Sequence, residues 1–548
     1  MADTTTADGN SGVVLAALAA SQFVMTLDSS VMNVSIATVA QDVGSTVTGV
    51  QTAITLYTLV MASMMITGGK LGAILGRRRA LGIGLVVYAS GSLTTAFAPN
   101  LGVLLFGWSL LEGLGAALIM PAIVALVAAN FPPERRTGAY GTIAAAGAAA
   151  VAVGPLIGGA VTTYFSWRYV FVGEVVIVLG VLALLRRIKD QPPTPAELDV
   201  VGAALSALGL GLVVFGVLRS GDWNWVVPGP NDPSVLGVSP VIWLISGGLL
   251  VLWLLFRWEE RVVARGGEPL VRFAMLQNRR LTAGLSIFFA QFLVQAGVFF
   301  AIPLFLSVVL ELSALETGTR IFPLSVSLLV CAIGIPKVAP RANPRLVVRI
   351  GVLLMLAGIL VMLAGLDPAA NAGIVAVPML LLGAGLGALA SQVGGVTVSA
   401  VPDSESAEVG GLQNTATNLG ASLGTALIGS ILLATLAGSA TAALQENPDV
   451  PPEVLAAAEI QLADDVQFVS QTQLREALER TDLDPASQQA ILDANEEARI
   501  DALRTAFAAA AVLTIGALFL TGGLPVHAPG SEPRDEDERT DAPAGAGG

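Results

Sequence analysis

Long apolar runs separated by short polar or Gly/Pro-containing turns recur along the whole chain. Crossing the ~30 Å hydrocarbon core as a helix takes about 20 apolar residues. Runs of that size fall near residues 13–37, 49–69, 80–98, 102–127, 138–161, 169–187, 200–219, 239–256, 281–309, 318–336, 346–365, 374–399, 408–433 and 503–524. The pattern predicts about fourteen transmembrane helices, spans 1 to 14 in chain order. The opening MADTTTADGNSG is acidic where a signal peptide is basic, and span 1 carries Asp28, so an uncleaved first helix is expected.

The polar segments divide the chain. Residues 1–12 read as a cytoplasmic tail, 13–187 as a six-helix bundle, 188–256 as two additional spans and 257–280 as a basic cytoplasmic linker. Residues 281–524 read as a second six-helix bundle, interrupted by an external helical insertion at 434–502, and 525–548 as a disordered acidic tail. Asp484-Pro485 is a good helix start, and that helix is expected to run on into span 14. The insertion reads equally as a cap over the external mouth or as an acidic tether. With an internal N-terminus, 21 of the 28 Lys/Arg fall on the cytoplasmic side, in accord with the positive-inside rule. The expected location is therefore the cell membrane, with both termini cytoplasmic.

Composition strengthens the reading. The chain of 548 residues is 54% hydrophobic and 13% charged, against about 25% charged in soluble domains. Its net charge of −13 is local: residues 439–504 carry −10 and residues 525–548 carry −4, leaving the remainder at +1. One cysteine, Cys331, and one histidine, His527, leave no material for an internal disulfide, a His/Cys metal site or a histidine-based triad. Gly69-Lys70 is followed by Leu71, so no phosphate-cradling P-loop is present. Enzyme activity and cofactors are not expected, and work on a solute must draw on a gradient or a partner.

Four segments occur in a telling order: LDSSVMNVSIATVAQDV in span 1, GGKLGAILGRRRAL between spans 2 and 3, GWSLLEGLGAALIMPA in span 4, and VGPLIGGAVTTYFSWRYVF across spans 5 and 6. With GVFFAIPLFLSVVLELSALETGTRIFPLS in spans 9 and 10, they resemble the fourteen-helix drug:proton antiporter branch of the major facilitator superfamily over nearly the whole chain. The resemblance implies an all-α integral membrane fold, two six-helix bundles plus two linker helices. It identifies Gly154, Pro155, Gly158 and Gly159 with the antiporter motif. Independently, that run puts a kink beside small residues that let a neighbouring backbone approach. The same packing is expected of Gly383 and Gly387 and of the GASLG run at 420–424.

The loop between spans 2 and 3 carries Gly69, Gly76, Arg77, Arg78 and Arg79, glycines for a tight turn and arginines for the cytoplasmic face. The family pattern there is close to GxLxDRxGRR, and this chain has Ala73 and Ile74 where the acid and following arginine stand. In span 4, Ser109 and Glu112 replace the family's arginine and glutamine. The paired loss suggests a charge-linked gate rewired as one unit.

The ionisable groups left inside spans are Asp28, Glu112 and Glu174. Intramembrane charges are costly and usually functional. At 1.5 Å per residue they lie ~14, ~15 and ~8 Å from the external ends of their helices, so all three could line one cavity in the outer half of the N-terminal bundle. Burial disfavours the ionised form, which lets such a carboxyl bind and release a proton. Glu174 reads alternatively as a group reaching external water. No lysine or arginine lies mid-span, which disfavours an anionic substrate. Span 9 offers Gln291 and Gln295 with Phe288, Phe292 and Phe299, and span 13 offers Gln413, Asn414 and Asn418. Aromatics with a few amides suit a bulky, weakly polar ligand, though at helical spacing they also read as packing.

The expected function is export of a lipophilic neutral or cationic compound in exchange for protons. A dedicated exporter of an endogenous metabolite or lipid is the alternative, and a non-transporting receptor or scaffold the outlier. Expected partners are the small-molecule substrate, protons and the lipid bilayer, with no nucleic acid and a monomeric state.

Overall fold

Helix starts are written in the sequence. Thr46, Asn100, Asp199, Ser239, Asn278, Ser313, Asn343, Ser470 and Asp484 each sit at an N-cap and accept from a backbone N–H of the first turn. The computed structural model describes residues 4–526 apart from 191–192, 194–197, 229–231, 340–341, 368–371, 402–405, 447–467 and 482. His527 and the rest of the acidic tail lie outside the described residues.

The first half comprises α1 (Thr4–Val34), the short α2 (Ile36–Asp42), α3 (Val47–Leu75) and α4 (Arg77–Ala96). Then α5 (Leu101–Leu104) passes through a π-helical stretch, Leu105–Glu112, into α6 (Gly113–Asn130), followed by α7 (Pro133–Tyr164) and α8 (Arg168–Leu184). Two further helices, α9 (Val200–Trp223) and α10 (Pro240–Ala264), lead to the second half. That half contains α11 (Arg279–Leu304), which ends in a π-helical stretch Phe305–Val309, then α12 (Ala314–Val338), α13 (Pro344–Ala364), α14 (Ala376–Val398) and α15 (Ser406–Glu446). The short α16 (Gln471–Leu478) precedes α17 (Pro485–Leu520).

With α5 and α6 taken as one rod, the described residues form fourteen long helices, roughly in line with the expected count of spans. Twelve are long and apolar enough to cross a membrane, and α7, bent by 43° between Ala145–Val151 and Val153–Tyr164, adds a thirteenth. The remaining one, α4, has 20 residues but opens on three arginines. Among the described residues the only β pairing is a bridge between Val235 and Val238. The fold is all-α and of the expected class. Helix α1 begins at Thr4, inside the stretch read as a tail, and α15 continues to Glu446, past the expected end of span 13.

Within the first half α1 packs on α7 and α3 on α6; in the second, α11 packs on α15 and α14 on both α12 and α13. Small residues set these approaches. A Cβ at Gly383 or Gly387 would overlap the α12 carbonyls of Leu324 or Leu328, and one at Gly420 or Gly424 would overlap the α11 carbonyls of Phe289 or Leu293. The additional pair α9 and α10 packs together, and α9 leans on α3 and α15 at the seam between halves, where Ser430 Oγ donates to the Val217 and Leu218 carbonyls at 3.0 and 3.1 Å. The outer surface of α10 exposes Leu249, Leu250, Trp253 and Leu254, as a lipid-facing helix does.

The described end of the insertion is docked against the second half. Glu311, in the turn after α11 with φ of 51°, accepts from Thr472 N (2.9 Å) and Oγ1 (2.7 Å) at the start of α16. Partial burial alone would raise the Glu311 carboxyl, but the Thr472 N–H and the Thr472 and Ser470 hydroxyls hold it below the usual glutamate value. Arg499 of α17 is buried and donates to Val308 O (3.1 Å), Val469 O (3.3 Å) and Gln471 Oε1 (3.0 Å). As expected, α17 starts at Pro485 and runs unbroken through the last span.

Candidate functional site: a carboxyl cluster beside a charge-free cavity

The π-helical stretch organises the first half of the site. Its i→i+5 winding places Trp108, Ser109 and Glu112 together in the interior. Ser109 Oγ donates to the Ala53 carbonyl of α3 at 2.8 Å. On the other side α4 comes into backbone contact: a Cβ at Gly91 would strike Glu112 and the Gly107 carbonyl, so only glycine permits this approach.

The three intramembrane acids meet. Each of Asp28 (α1), Glu112 and Glu174 (α8) offers a carboxylate oxygen, and these oxygens lie within 4.8 Å of one another, while the residues are 0%, 0% and 1% exposed. Trp108 Nε1–H donates to both oxygens of Asp28, at 2.8 and 2.9 Å. Glu174 Oε2 accepts from the Tyr88 hydroxyl (3.3 Å) and from Ser92 Oγ (3.2 Å), and Glu112 Oε1 accepts from Thr95 Oγ1 at 3.4 Å. One oxygen on each glutamate, Glu112 Oε2 and Glu174 Oε1, has no hydrogen-bond partner. Two unit charges at this separation repel by roughly 3–4 kcal/mol at an effective dielectric near 20. Each further charge in the cluster is therefore opposed, and a bound proton or cation would relieve it.

Glu174 does not reach water, and the cluster does not line the large cavity. That cavity, of about 540 Å³, lies between the halves, and among the described residues no Asp, Glu, Lys or Arg lines it. All eight second-half residues singled out from sequence, Phe288, Gln291, Phe292, Gln295, Phe299, Gln413, Asn414 and Asn418, are on its wall. Gln291 is buried with Oε1 unpartnered, whereas Asn418 Nδ2 donates to Asn414 O in its own helix at 2.8 Å. From the first half come polar Gln22, Ser29 and Asn33, and apolar Met25, Met61 and Met120. Tyr57 and Trp108, ring centroids 5.1 Å apart and 5° from parallel, are also in the wall. With Asp28 bonded behind it, Trp108 separates the cavity from the acids. Sequence reasoning missed this pair; the available signal was a tryptophan four residues before an intramembrane glutamate.

Contacts between halves gather at the face opposite Arg77–Arg79. Pro155 has no N–H, which frees the Val151 carbonyl, and Ser325 Oγ of α12 donates to it at 3.0 Å. Along the same seam Gly318 rests on the Pro155 carbonyl and Gly159 on that of Ala314, each too close for a Cβ. Gly154 and Gly158 perform the same service against Ser30 and Val31 of α1. The other seam, α3 against α15, carries Gln51 Nε2 to Thr425 O (3.0 Å) and Ser422 Oγ to Thr55 O (2.9 Å).

The basic loop overturns the idea of a gate rewired as a unit. Ser109 touches Ala53, whereas Ala73 lies twenty residues, about 30 Å, further along the same helix. The two positions are not partners. The loop instead holds itself by Arg77 Nη1 to Gly69 O (2.6 Å) and by Asp190, after α8, which accepts from Arg78 N at 3.0 Å. Gly76, at φ 95°, makes the turn, and a Cβ there would sit 3.0 Å from Asp190 Oδ2. Ala73, Lys70, Arg77 and Arg272 line a separate cavity of about 230 Å³ at this face.

Residues 18–425 match the sequence family described as Major Facilitator Superfamily. The chain is 28% identical to the tetracenomycin C resistance and export protein of Streptomyces glaucescens, over 77% of this chain and 76% of that one. It is likewise 28% identical to the multidrug efflux pump LfrA of Mycolicibacterium smegmatis (80% and 82%), and 24% identical to the probable multidrug resistance protein EmrY of Escherichia coli (76% and 78%). Among solved structures, a bacterial homologue of the human lysosomal transporter Spinster superposes with a TM-score of 0.58 at 15% identity, over 93% of this chain and 98% of that one. The human organic anion transporter MFSD10 does so with 0.52 at 14% identity, over 94% and 99%.

Proposed function

The chain belongs to the major facilitator superfamily, and from that premise we propose that it exports lipophilic neutral or cationic compounds in exchange for protons by alternating access. The observation that carries this reading is the division of chemistry between two adjacent compartments. The cavity between the halves offers aromatic, methionine and amide groups and, among the described residues, no charge, which suits a weakly polar ligand. The carboxyls that can hold protons lie behind it, sealed from the cavity. Asp28, Glu112 and Glu174 are the proton-coupling residues; Phe288, Gln291, Phe292, Gln295 and Asn418 contact substrate. The face bearing Arg77–Arg79 is cytoplasmic, as are both termini. Gly154, Pro155, Gly158 and Gly159 then lie at the external seam and govern its closure, while Gly69, Gly76, Arg77 and Arg78 shape the cytoplasmic turn.

Relatives named for one compound each, tetracenomycin C and actinorhodin, support a second reading, a dedicated exporter using the same cavity. The test is efflux from proteoliposomes of a panel of fluorescent cations and neutral dyes, with and without a proton uncoupler. Uncoupler-sensitive export of several dyes supports the first reading, and export of a single structural class supports the second. Flux insensitive to the uncoupler overturns proton exchange, and absence of any flux overturns transport.

A further inference from the structure

Resting on the proton-exchange reading and deepening it, we propose that Trp108 is the positioning residue that makes proton binding at Asp28 and substrate binding in the cavity mutually exclusive. The indole N–H points between the two Asp28 oxygens, at 2.8 and 2.9 Å, a contact that a carboxylate accepts fully. Protonating either oxygen puts a hydrogen on it and leaves the other as the full acceptor, so the N–H shared between two oxygens must re-seat on one. The ring, 1% exposed and stacked on Tyr57, has little free space behind it and borders the cavity on its other side. As the indole re-seats on the remaining oxygen, the open side available to the ring is the cavity, while a ligand filling the cavity holds the N–H between both oxygens of Asp28 as carboxylate. Such linkage is reciprocal: each ligand weakens the other by the same factor.

The groups around Asp28 are consistent with one switch. Glu112 and Glu174 place oxygens within 4.8 Å of it, α3 contributes Tyr57, and α4 contributes Tyr88, whose hydroxyl is committed to Glu174. On the far side of α1, α7 presents Gly154 and Gly158, which do not titrate. Tyr57 also borders the cavity and interacts with Asp28, and Trp108 is the group whose N–H both Asp28 oxygens accept.

The first experiment needs no substrate. In full-length protein carrying fluorotryptophan, the Trp108 fluorine resonance is assigned by its loss in Trp108→Tyr or Trp108→Phe, and followed against pH. It is expected to titrate in wild type and to stay flat in Asp28→Asn. A resonance flat in wild type, or titrating equally in Asp28→Asn, overturns the proposal. The second measures affinity for a dye that wild type exports. One-for-one exclusion changes that affinity by up to about tenfold per pH unit, and Trp108→Phe, which keeps the stack but not the N–H, should reduce the change to less than about twofold. Equal pH dependence in both proteins overturns the proposal while leaving proton exchange intact, whereas wild-type export without proton release removes the reading on which it rests.

Discussion

Replacing Asp28 by asparagine keeps the shape of the side chain and removes its titration. Locally, one of the two acceptors facing Trp108 Nε1 becomes an NH2 group, and a charge-assisted bond becomes a neutral one, a loss of about 1 kcal/mol. That is within what a large domain tolerates, so folding and insertion should survive. The functional effect is larger. With oxygens within 4.8 Å, each additional ionisation in the cluster is opposed by roughly 3–4 kcal/mol, a factor of several hundred. Proton release driven by substrate depends on that tension, and Asp28→Asn removes the two repulsions that involve Asp28, leaving only that between Glu112 and Glu174, together with the titration of the one acid bonded to the cavity wall. Substrate-induced proton release from purified protein and gradient-driven export in proteoliposomes should both fall to near background. Glu112→Gln should also reduce protons released per substrate, because Glu112 Oε2, which no donor compensates, is lost as a charge. If Asp28→Asn and Glu112→Gln both retain proton-coupled export at wild-type rates, the assignment of protons to this cluster is refuted.

Three further outcomes are expected. Cysteine at exposed Ala486, against Cys331→Ser, should react with an impermeant thiol reagent in intact cells, and labelling only after lysis would reverse the proposed orientation. Gly318→Ala drives a Cβ into the Pro155 carbonyl and should pry α7 from α12, so that a second cysteine at Asn33 in the cavity wall labels faster from outside; unchanged labelling with full export would show that the seam does not control access. The Glu311 carboxyl is depressed in the folded state, so its contribution to docking α16 is present above the ordinary glutamate value and is lost as pH falls through the lower, folded one. Hydrogen exchange at the Thr472 amide should accelerate in that acid window in wild type, and an equal acid response in Glu311→Gln would assign the effect elsewhere.

Hydrophobic periodicity, run length and the distribution of cations determined the class of this protein: fourteen helices, one face lined with arginine, three acids where lipid should be. These are properties of depth, and depth along a helix follows from residue number at 1.5 Å per step. Which residues face one another does not. Asp28, Glu112 and Glu174 were placed at related depths from sequence, but their meeting depends on the rotation of α1 and α8 and on the π-helical stretch that re-aims Glu112. The same stretch sets Trp108 between acid and cavity, which no spacing rule for a regular helix describes. Ala73 and Ser109 looked like two halves of one loss because they were compared as motif positions, and the structure separates them by most of the thickness of the membrane. Tertiary packing also placed Asp190 against the basic turn and buried Arg499 beside the insertion, pairings that no spacing in the sequence marks. A sequence records which groups a membrane helix can least afford to expose, and only packing among helices decides which partner each one finds, because that choice depends on rotation and approach rather than on order along the chain.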